Sequence, residues 1–150
     1  EPYCAKIFRQ RWYLVAQSPY YNAIRIYSLD RIQNLQTTDK GFRLPEDFCS
    51  ETYFENAFGI IVEEEIKPYT IHIKAFGNKS KYLLTLPLHH SQKEIKTSED
   101  ESVFTVFLSP TFDFKQELLS HGNEIEVTSP DWFREEMKEV INKMNERYHY

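Results

Sequence analysis

Two short segments near the N-terminus decide the fold prediction: residues 11–14 read Arg-Trp-Tyr-Leu, and residues 24–32 read Ile-Arg-Ile-Tyr-Ser-Leu-Asp-Arg-Ile. Both are rich in the β-branched and aromatic residues that favour strands, and both carry arginine among apolar neighbours. A desolvated guanidinium needs an anionic or hydrogen-bonding partner, so each such arginine requires an acceptor nearby. The segments therefore predict strands that present arginine and aromatic side chains together.

The sequence around these segments predicts a small antiparallel sheet followed by a helix. Turn signals at Arg9-Gln10 and at Ser18-Pro19 separate the strands, and Gly59 is suited to end the helix. The predicted elements are a hairpin over residues 3–8 and 12–17, a strand over 24–29, and a helix over 45–58. The alternation of side chains along the strand is expected to extend to residue 32.

Residues 67–150 have a different rhythm, in which strands and helices alternate. The apolar residues of the segment 69–76 alternate with His72 and Lys74, which indicates a half-buried strand. Ser129 is suited to cap a final helix that has Pro130 as its first residue. The predicted elements are strands over 69–76, 91–97, 102–108 and 124–128, and helices over 79–88, 112–120 and 130–148. This β-α-β-β-α-β order with a C-terminal helix predicts a ferredoxin-like unit within an α+β protein.

Composition excludes several classes of protein. The 150-residue chain has 27% charged and 41% hydrophobic residues, as an ordinary globular protein does. No apolar run approaches the roughly 20 residues that span a bilayer, and no signal-peptide pattern opens the chain, so we expect a cytoplasmic protein with no membrane contact. Cys4 and Cys49 lack metal or redox spacing and are expected to be reduced, part-buried thiols.

The formal net charge of −5 is unevenly distributed. Residues 1–44 carry seven Lys/Arg and three Asp/Glu, whereas residues 45–150 carry eleven and twenty. A locally basic segment on an acidic protein points to one anion-binding site rather than to a broad nucleic-acid surface. A merely solvated excess of charge explains the composition equally well.

The N-terminal segments resemble the WYL domain family of bacterial transcription regulators. The Trp-Tyr-Leu tripeptide of that family is complete here, and its following motif, close to Arg-x-Phe-Arg-Leu-Asp-Arg-Ile, is largely kept, with Ser28 where an arginine is common. Flanking segments at residues 1–3, 53–54 and 58–60 agree as well. The matching positions are Trp12, Tyr13, Leu14, Arg25, Tyr27, Leu29, Asp30, Arg31 and Ile32.

The resemblance implies an SH3-like (Sm-like) β-barrel over residues 1–66 that lacks its first strands, followed at residues 67–150 by the ferredoxin-like extension, termed WCX, found after many WYL domains. It implies a ligand sensor whose winged helix-turn-helix, in a part of the protein preceding this sequence, binds operator DNA. The implied ligand is single-stranded DNA or another nucleotide-type anion. The implied ligand-binding residues are Tyr13, Arg25, Arg31, Tyr27 and Arg11.

Each arginine also has a structural interpretation. Arg25 and Arg31 share a strand parity and either bind an anion or pair with carboxylates. Asp30 beside Arg31 favours an internal salt bridge over a catalytic role. Arg11 and Lys6 are better explained as solvated charges.

The tripeptide itself should divide between the two faces of its strand. Trp12 and Leu14 share a parity and are expected in the core. Tyr13 then faces the other way, where it lines either the pocket or plain surface.

Catalysis and metal binding find little support in the sequence. The five histidines lie beyond residue 66 as expected surface residues, and the adjacent His89-His90 pair cannot present two imidazoles to one metal from a helix face. The acidic run at residues 63–65 indicates a solvated face. We therefore expect no enzyme activity, no metal and no cofactor. The leading hypothesis is a ligand-sensing and dimerisation region that forms a homodimer; the alternative is a protein-interaction module without a small ligand.

Overall fold

The computed structural model describes residues 1–149 and shows an α+β protein with two antiparallel sheets. The chain divides into two compact units, Glu1–Glu55 and a second unit that begins at Asn56. Each unit contains one of the sheets, three-stranded in the first and four-stranded in the second.

The first unit is built on a three-stranded antiparallel sheet. Arg9 and Gln10 connect the first two strands with φ angles of 46° and 65°. Positive φ at both central residues is the geometry of a type I′ turn, whose twist matches that of paired strands. The strands are β1 (Pro2–Phe8), β2 (Arg11–Ser18) and β3 (Ala23–Ser28), in that order across the sheet. The predicted hairpin is confirmed, and the SH3-like barrel remains a prediction.

Two predicted elements of this unit are shorter in the structure. β3 ends at Ser28 and continues as a 3₁₀ turn over Leu29–Arg31, where the Ser28 hydroxyl donates a hydrogen bond to Asp30. Such local side-chain bonds compete with strand pairing. The predicted helix over residues 45–58, a segment in which four aromatic residues and one each of Ser, Thr and Asn have weak helix propensity, is reduced to α1 (Ser50–Tyr53).

The second unit confirms the predicted element order β-α-β-β-α-β with a final helix. Its elements are β4 (Tyr69–Phe76), α2 (Asn78–Thr85), β5 (Lys93–Thr97), β6 (Glu101–Leu108), α3 (Phe112–Ser120), β7 (Ile125–Ser129) and α4 (Asp131–Glu146). The strand order is β5-β6-β4-β7, and all neighbours are antiparallel. This order supports the ferredoxin-like assignment, which stays a prediction. β5 is an edge strand with every residue exposed.

The core of the second unit lies on one face of this sheet. Ile71, Ile73 and Ala75 of β4 are fully buried, as the alternation of residues 69–76 predicts. Fully burying an isoleucine side chain contributes about 1.5–3 kcal/mol. The nine buried residues of the main cluster are Ile71, Ile73, Val106, Leu108, Phe114, Leu118, Val127, Phe133 and Met137. A smaller cluster joins Ala75, Leu83 and Phe104.

The buried carboxylate of Asp113 ties the segment before β4 to the start of α3. One of its oxygens accepts hydrogen bonds from the backbone N–H groups of Ile60 (3.0 Å) and Ile61 (3.3 Å). The other accepts from the Thr111 hydroxyl (2.6 Å) and the Phe114 N–H (3.0 Å). Residues 56–61 thus lie with the second unit in space. The domain boundary between residues 66 and 67 stays a prediction.

The start of α4 differs from the prediction. Ser129 is the last residue of β7 and pairs with His72, so Pro130 occupies the N-cap position that the sequence predicted for Ser129. The pairing holds Ser129 in an extended conformation within the sheet, and the helix begins one residue later than the turn chemistry suggests.

Two histidines are less exposed than predicted. His89 is buried, with its Nδ1 atom 2.8 Å from the Ser91 hydroxyl. His121, at the end of α3, is largely covered, and its Nε2 atom lies 3.5 Å from Glu117. Burial, followed by the charge of Lys79, lowers the pKa of His121, which Glu117 and Glu124 partly offset.

We expect Asp113→Ala to lower the free energy of unfolding of the second unit by about 2–3 kcal/mol, because it leaves buried backbone donors without an acceptor. Urea unfolding followed by Trp132 fluorescence in a Trp12→Phe background isolates this unit, since the chain has two tryptophans. The exposed Asp100→Ala serves as control. An equal effect of both substitutions would contradict the proposed anchoring role.

A second prediction concerns pH. Because the folded state lowers the pKa of His121, the unfolded chain binds the proton more readily, and stability falls as the pH drops through about 6.5. His121→Gln should therefore lose less stability than the native protein between about pH 7.5 and 5.5. The same urea assay at both pH values measures this, with the exposed His149→Gln as control. Parallel losses in all three proteins would refute the expectation.

Candidate functional site

The register of the first sheet determines which side chains share a face. Directly paired residues of antiparallel strands point to the same side, and successive residues alternate. Leu14 pairs with Tyr27, and Trp12 pairs with Ile7. One face, which we name the open face, therefore carries Ala5 and Ile7 from β1, Trp12, Leu14 and Ala16 from β2, and Arg25 and Tyr27 from β3.

The open face exposes large apolar and aromatic side chains. Trp12 is 53% exposed, Tyr27 is 39% exposed, and Ile7 and Arg25 are exposed beside them. Tyr27 lies diagonally across from Trp12, because its direct partner Leu14 is two residues further along β2. Diagonal neighbours on one face are within reach of aromatic side chains. This face therefore combines aromatic surfaces with a guanidinium.

The opposite face carries Tyr13 and is partly covered. Tyr13 pairs with Lys6 on one side and Ser28 on the other, which places it across the sheet from Arg25 and Tyr27. The Lys6 ammonium lies 3.7 Å from the centroid of the Phe54 ring. Three further aromatic rings of this unit form a cluster. The ring centroids of Tyr3 and Phe48 are 4.7 Å apart, and those of Phe48 and Tyr53 are 5.7 Å apart.

The prediction that Trp12 and Leu14 lie on the face opposite Tyr13 is therefore confirmed, but the environment predicted for Trp12 is not. Trp12 and Leu14 do share a face opposite Tyr13. The prediction that Trp12 lies in the core is wrong, because its side chain is about half exposed. At the C-terminal end of β2 both sides are buried: Val15 is fully buried on the side of Tyr13, and Ala16 and Ser18 are buried on the side of Trp12.

Arg25 lies beside an aromatic pair that the sequence interpretation did not include. Its guanidinium carbon is 4.6 Å from the centroid of the Tyr21 ring, and Tyr20 meets Tyr21 edge-on at 4.8 Å. Tyr20 is 87% exposed. A guanidinium stacked on a ring keeps its in-plane N–H donors directed outward, where an oxyanion can accept them. The available signal was the adjacent Tyr20-Tyr21 within the turn between β2 and β3.

Arg31 and Arg11 occupy different surroundings. Arg31 is exposed in the 3₁₀ turn, so the strand parity that predicted its alignment with Arg25 does not extend to it. Arg11 lies 3.6 Å from the Asp30 carboxylate, which replaces the predicted Asp30–Arg31 salt bridge. The hydrogen bond from Ser28, followed by the charge of Arg11, lowers the pKa of Asp30.

Further features bear on the chemistry of the chain. Within residues 1–149, no group of three or more His, Cys, Asp or Glu side chains is arranged to hold a metal ion. Cys4 is half-buried and Cys49 exposed, both as free thiols, and burial raises the pKa of Cys4. Over the same part of the chain, no helix has the length and apolar character needed to cross a membrane.

In comparisons with known proteins, two family profiles match separate parts of the chain. Residues 1–37 match the family profile of the WYL domain, and residues 67–144 match that of the WCX domain. No curated protein matches the sequence. Among solved structures, proteasome accessory factor B/C (PafBC) of Arthrobacter aurescens is similar at 21% sequence identity and a TM-score of 0.35. The match covers 89% of this chain and 20% of that protein.

We expect Ser28→Ala to raise the pKa of Asp30 toward its ordinary value by more than Arg11→Ala does, because the hydroxyl donates a direct hydrogen bond and the salt bridge is solvated. A titration of the Asp30 carboxyl followed by ¹³C NMR measures both variants. A larger shift in Arg11→Ala would show that the ion pair dominates.

Proposed function

This chain belongs to the WCX domain family and carries a WYL domain in its N-terminal part, and we propose that it is the ligand-sensing and dimerisation region of a bacterial transcription regulator. Its DNA-binding domain would precede this sequence and would bind operator DNA. We propose a non-catalytic role in the cytoplasm, and a homodimer, since proteins that bind palindromic operators match the two-fold symmetry of the site.

We propose that the ligand is single-stranded DNA or another nucleotide-type anion and that it binds at the open face. The observation that carries this proposal is the exposure of Trp12 and Tyr27 on the same face as Arg25. Proteins that bind single strands combine aromatic side chains, on which bases stack, with cations that contact the phosphates. The side chain of Arg25, flanked by Tyr21, has the geometry for such a phosphate contact.

The remaining predicted residues fit this proposal to different degrees. Arg31 is exposed just beyond the end of β3 and can supply a second phosphate contact to a ligand that runs along the strand. Tyr13 and Arg11 lie on the other face, so they stay predictions that require a ligand reaching around the sheet edge. The basic excess lies within residues 1–44, and residues 45–55 of the same unit offset it with four Asp/Glu and no Lys/Arg, so the proposal rests on the local arginines rather than on the charge of the whole unit.

A protein-interaction module without a small ligand is the second candidate. Ile7, exposed beside Trp12, is the observation that favours it, because an aliphatic side chain contributes less to base stacking than to an apolar protein contact. In that case Arg25 would pair with a carboxylate of the partner.

Binding of a fluorescent oligothymidine across a salt series tests the ligand proposal. We expect Trp12→Ala to weaken binding by about 1–3 kcal/mol with an unchanged salt dependence, since stacking involves no counterion release. Arg25→Gln should weaken binding and reduce the slope of log K against log salt by about 1. Lys40→Gln, which removes a charge from an exposed loop, is the matched control.

The outcomes separate the two candidates. Equal affinity of the native protein and both variants would contradict binding at the open face. Absence of oligonucleotide binding, together with a sedimentation coefficient that Trp12→Ala lowers, would favour the interaction module. A strict monomer at high micromolar concentration would count against dimerisation by this chain.

A further inference from the structure

The second unit contains a cavity of about 480 Å³. It lies between the last turn of α3, strand β7 and one face of α4. This volume is within the range of small-molecule sites, which measure about 300–1,000 Å³. The cavity is formed within this unit alone and involves none of the residues of the open face.

The cavity wall that α4 supplies is charged at one end and apolar at the other. Five lining residues recur at intervals of three and four, so they form one face of the helix: Arg134, Met137, Lys138, Ile141 and Met144. From Arg134 to Met144 the helix rises about 15 Å. Both cations are in the N-terminal half of this wall, and the C-terminal half is apolar, with Ile141 52% and Met144 46% exposed.

The facing walls are largely apolar. Leu118 and Leu119 contribute from α3, and Ile125 and Val127 contribute from β7. Leu118 and Val127 also belong to the buried core, which holds this side of the cavity in place. An occupant therefore meets a fixed apolar wall on one side and the partly exposed side chains of α4 on the other.

The charged groups leave donors for a ligand. The Nη2 atom of Arg134 donates to Glu126 at 2.9 Å, and a guanidinium has five N–H donors. The Lys138 ammonium donates to Glu135 at 3.0 Å, and an ammonium has three N–H donors. The charged residues that line the cavity are thus two cations and one carboxylate, Glu126, which suits a single negative charge better than a polyphosphate.

We propose that this cavity binds an elongated amphiphilic monocarboxylate, such as a medium-chain fatty acid. Its carboxylate would accept hydrogen bonds from Arg134 and Lys138, and its alkyl chain would run along α4 toward Ile141 and Met144. The alignment follows from the charge gradient of the helix face. This site is additional to the proposed nucleotide site and does not depend on it.

The methionines of the chain provide a direct assay, because both of them, Met137 and Met144, line the cavity. We expect decanoate to shift both signals in a ¹³C-methyl-methionine NMR spectrum of the whole chain, below its critical micelle concentration. Decanol and decylamine, which have the same chain length, separate the contributions of head group and tail. We expect the affinity order decanoate, decanol, decylamine, and a reversed order would overturn the proposal.

Variants locate the two ends of the ligand. Arg134→Gln should weaken decanoate binding about tenfold and leave decanol unaffected, since only the carboxylate uses the guanidinium. Lys143→Gln removes the same charge from an exposed position outside the cavity and should change neither ligand. Ile141→Glu changes a side chain that is about half exposed, so we expect the fold to be kept, and it should weaken both ligands.

Two results would overturn the proposal. One is the absence of saturable methyl shifts with any of the three compounds. The other is self-association of the native chain that Ile141→Glu abolishes while decanoate fails to compete, which would assign this face to a second copy of the chain.

Discussion

The register of β2 against its two neighbours is the constraint on which the surface chemistry of the first unit depends. Side chains alternate along a strand, so a shift by one residue would move Trp12 and Leu14 to the covered side and bring Tyr13 out. The two-residue turn at Arg9 and Gln10 holds this register on one side. The open face, with its aromatic and cationic side chains, is a consequence of that pairing.

The core of the second unit depends on the position of strand β4. β4 is central, with β6 on one side and β7 on the other, and its inward residues contact the main cluster. A cavity lies between α4, β7 and the end of α3. The two units therefore carry different chemistry: an aromatic and cationic sheet face in one, and a partly open cavity with a charged end and an apolar end in the other.

Element order in the second unit could be predicted because its periodicity is strong. Residues 69–76 alternate without interruption, and the α3 bounds agree with the sequence interpretation. The covered face of the first sheet could not be predicted in this way. Periodicity shows that Trp12 and Leu14 share a face, but it does not show which face the rest of the unit covers. The cover comes from residues 45–55, whose aromatic side chains pack without forming the predicted long helix. The Arg25–Tyr21 contact depends on the path of a turn, which residue spacing does not determine.

Strand β5 has a consequence for behaviour at high concentration. It forms one border of the second sheet, and its exposed residues include Lys93, Glu94 and Lys96. A free border offers unpaired backbone groups to any strand that approaches, which is how sheets of separate molecules join into aggregates. An incoming strand would have to remove water from these charges. The charges of β5 thus oppose the joining of separate molecules along this border of the sheet.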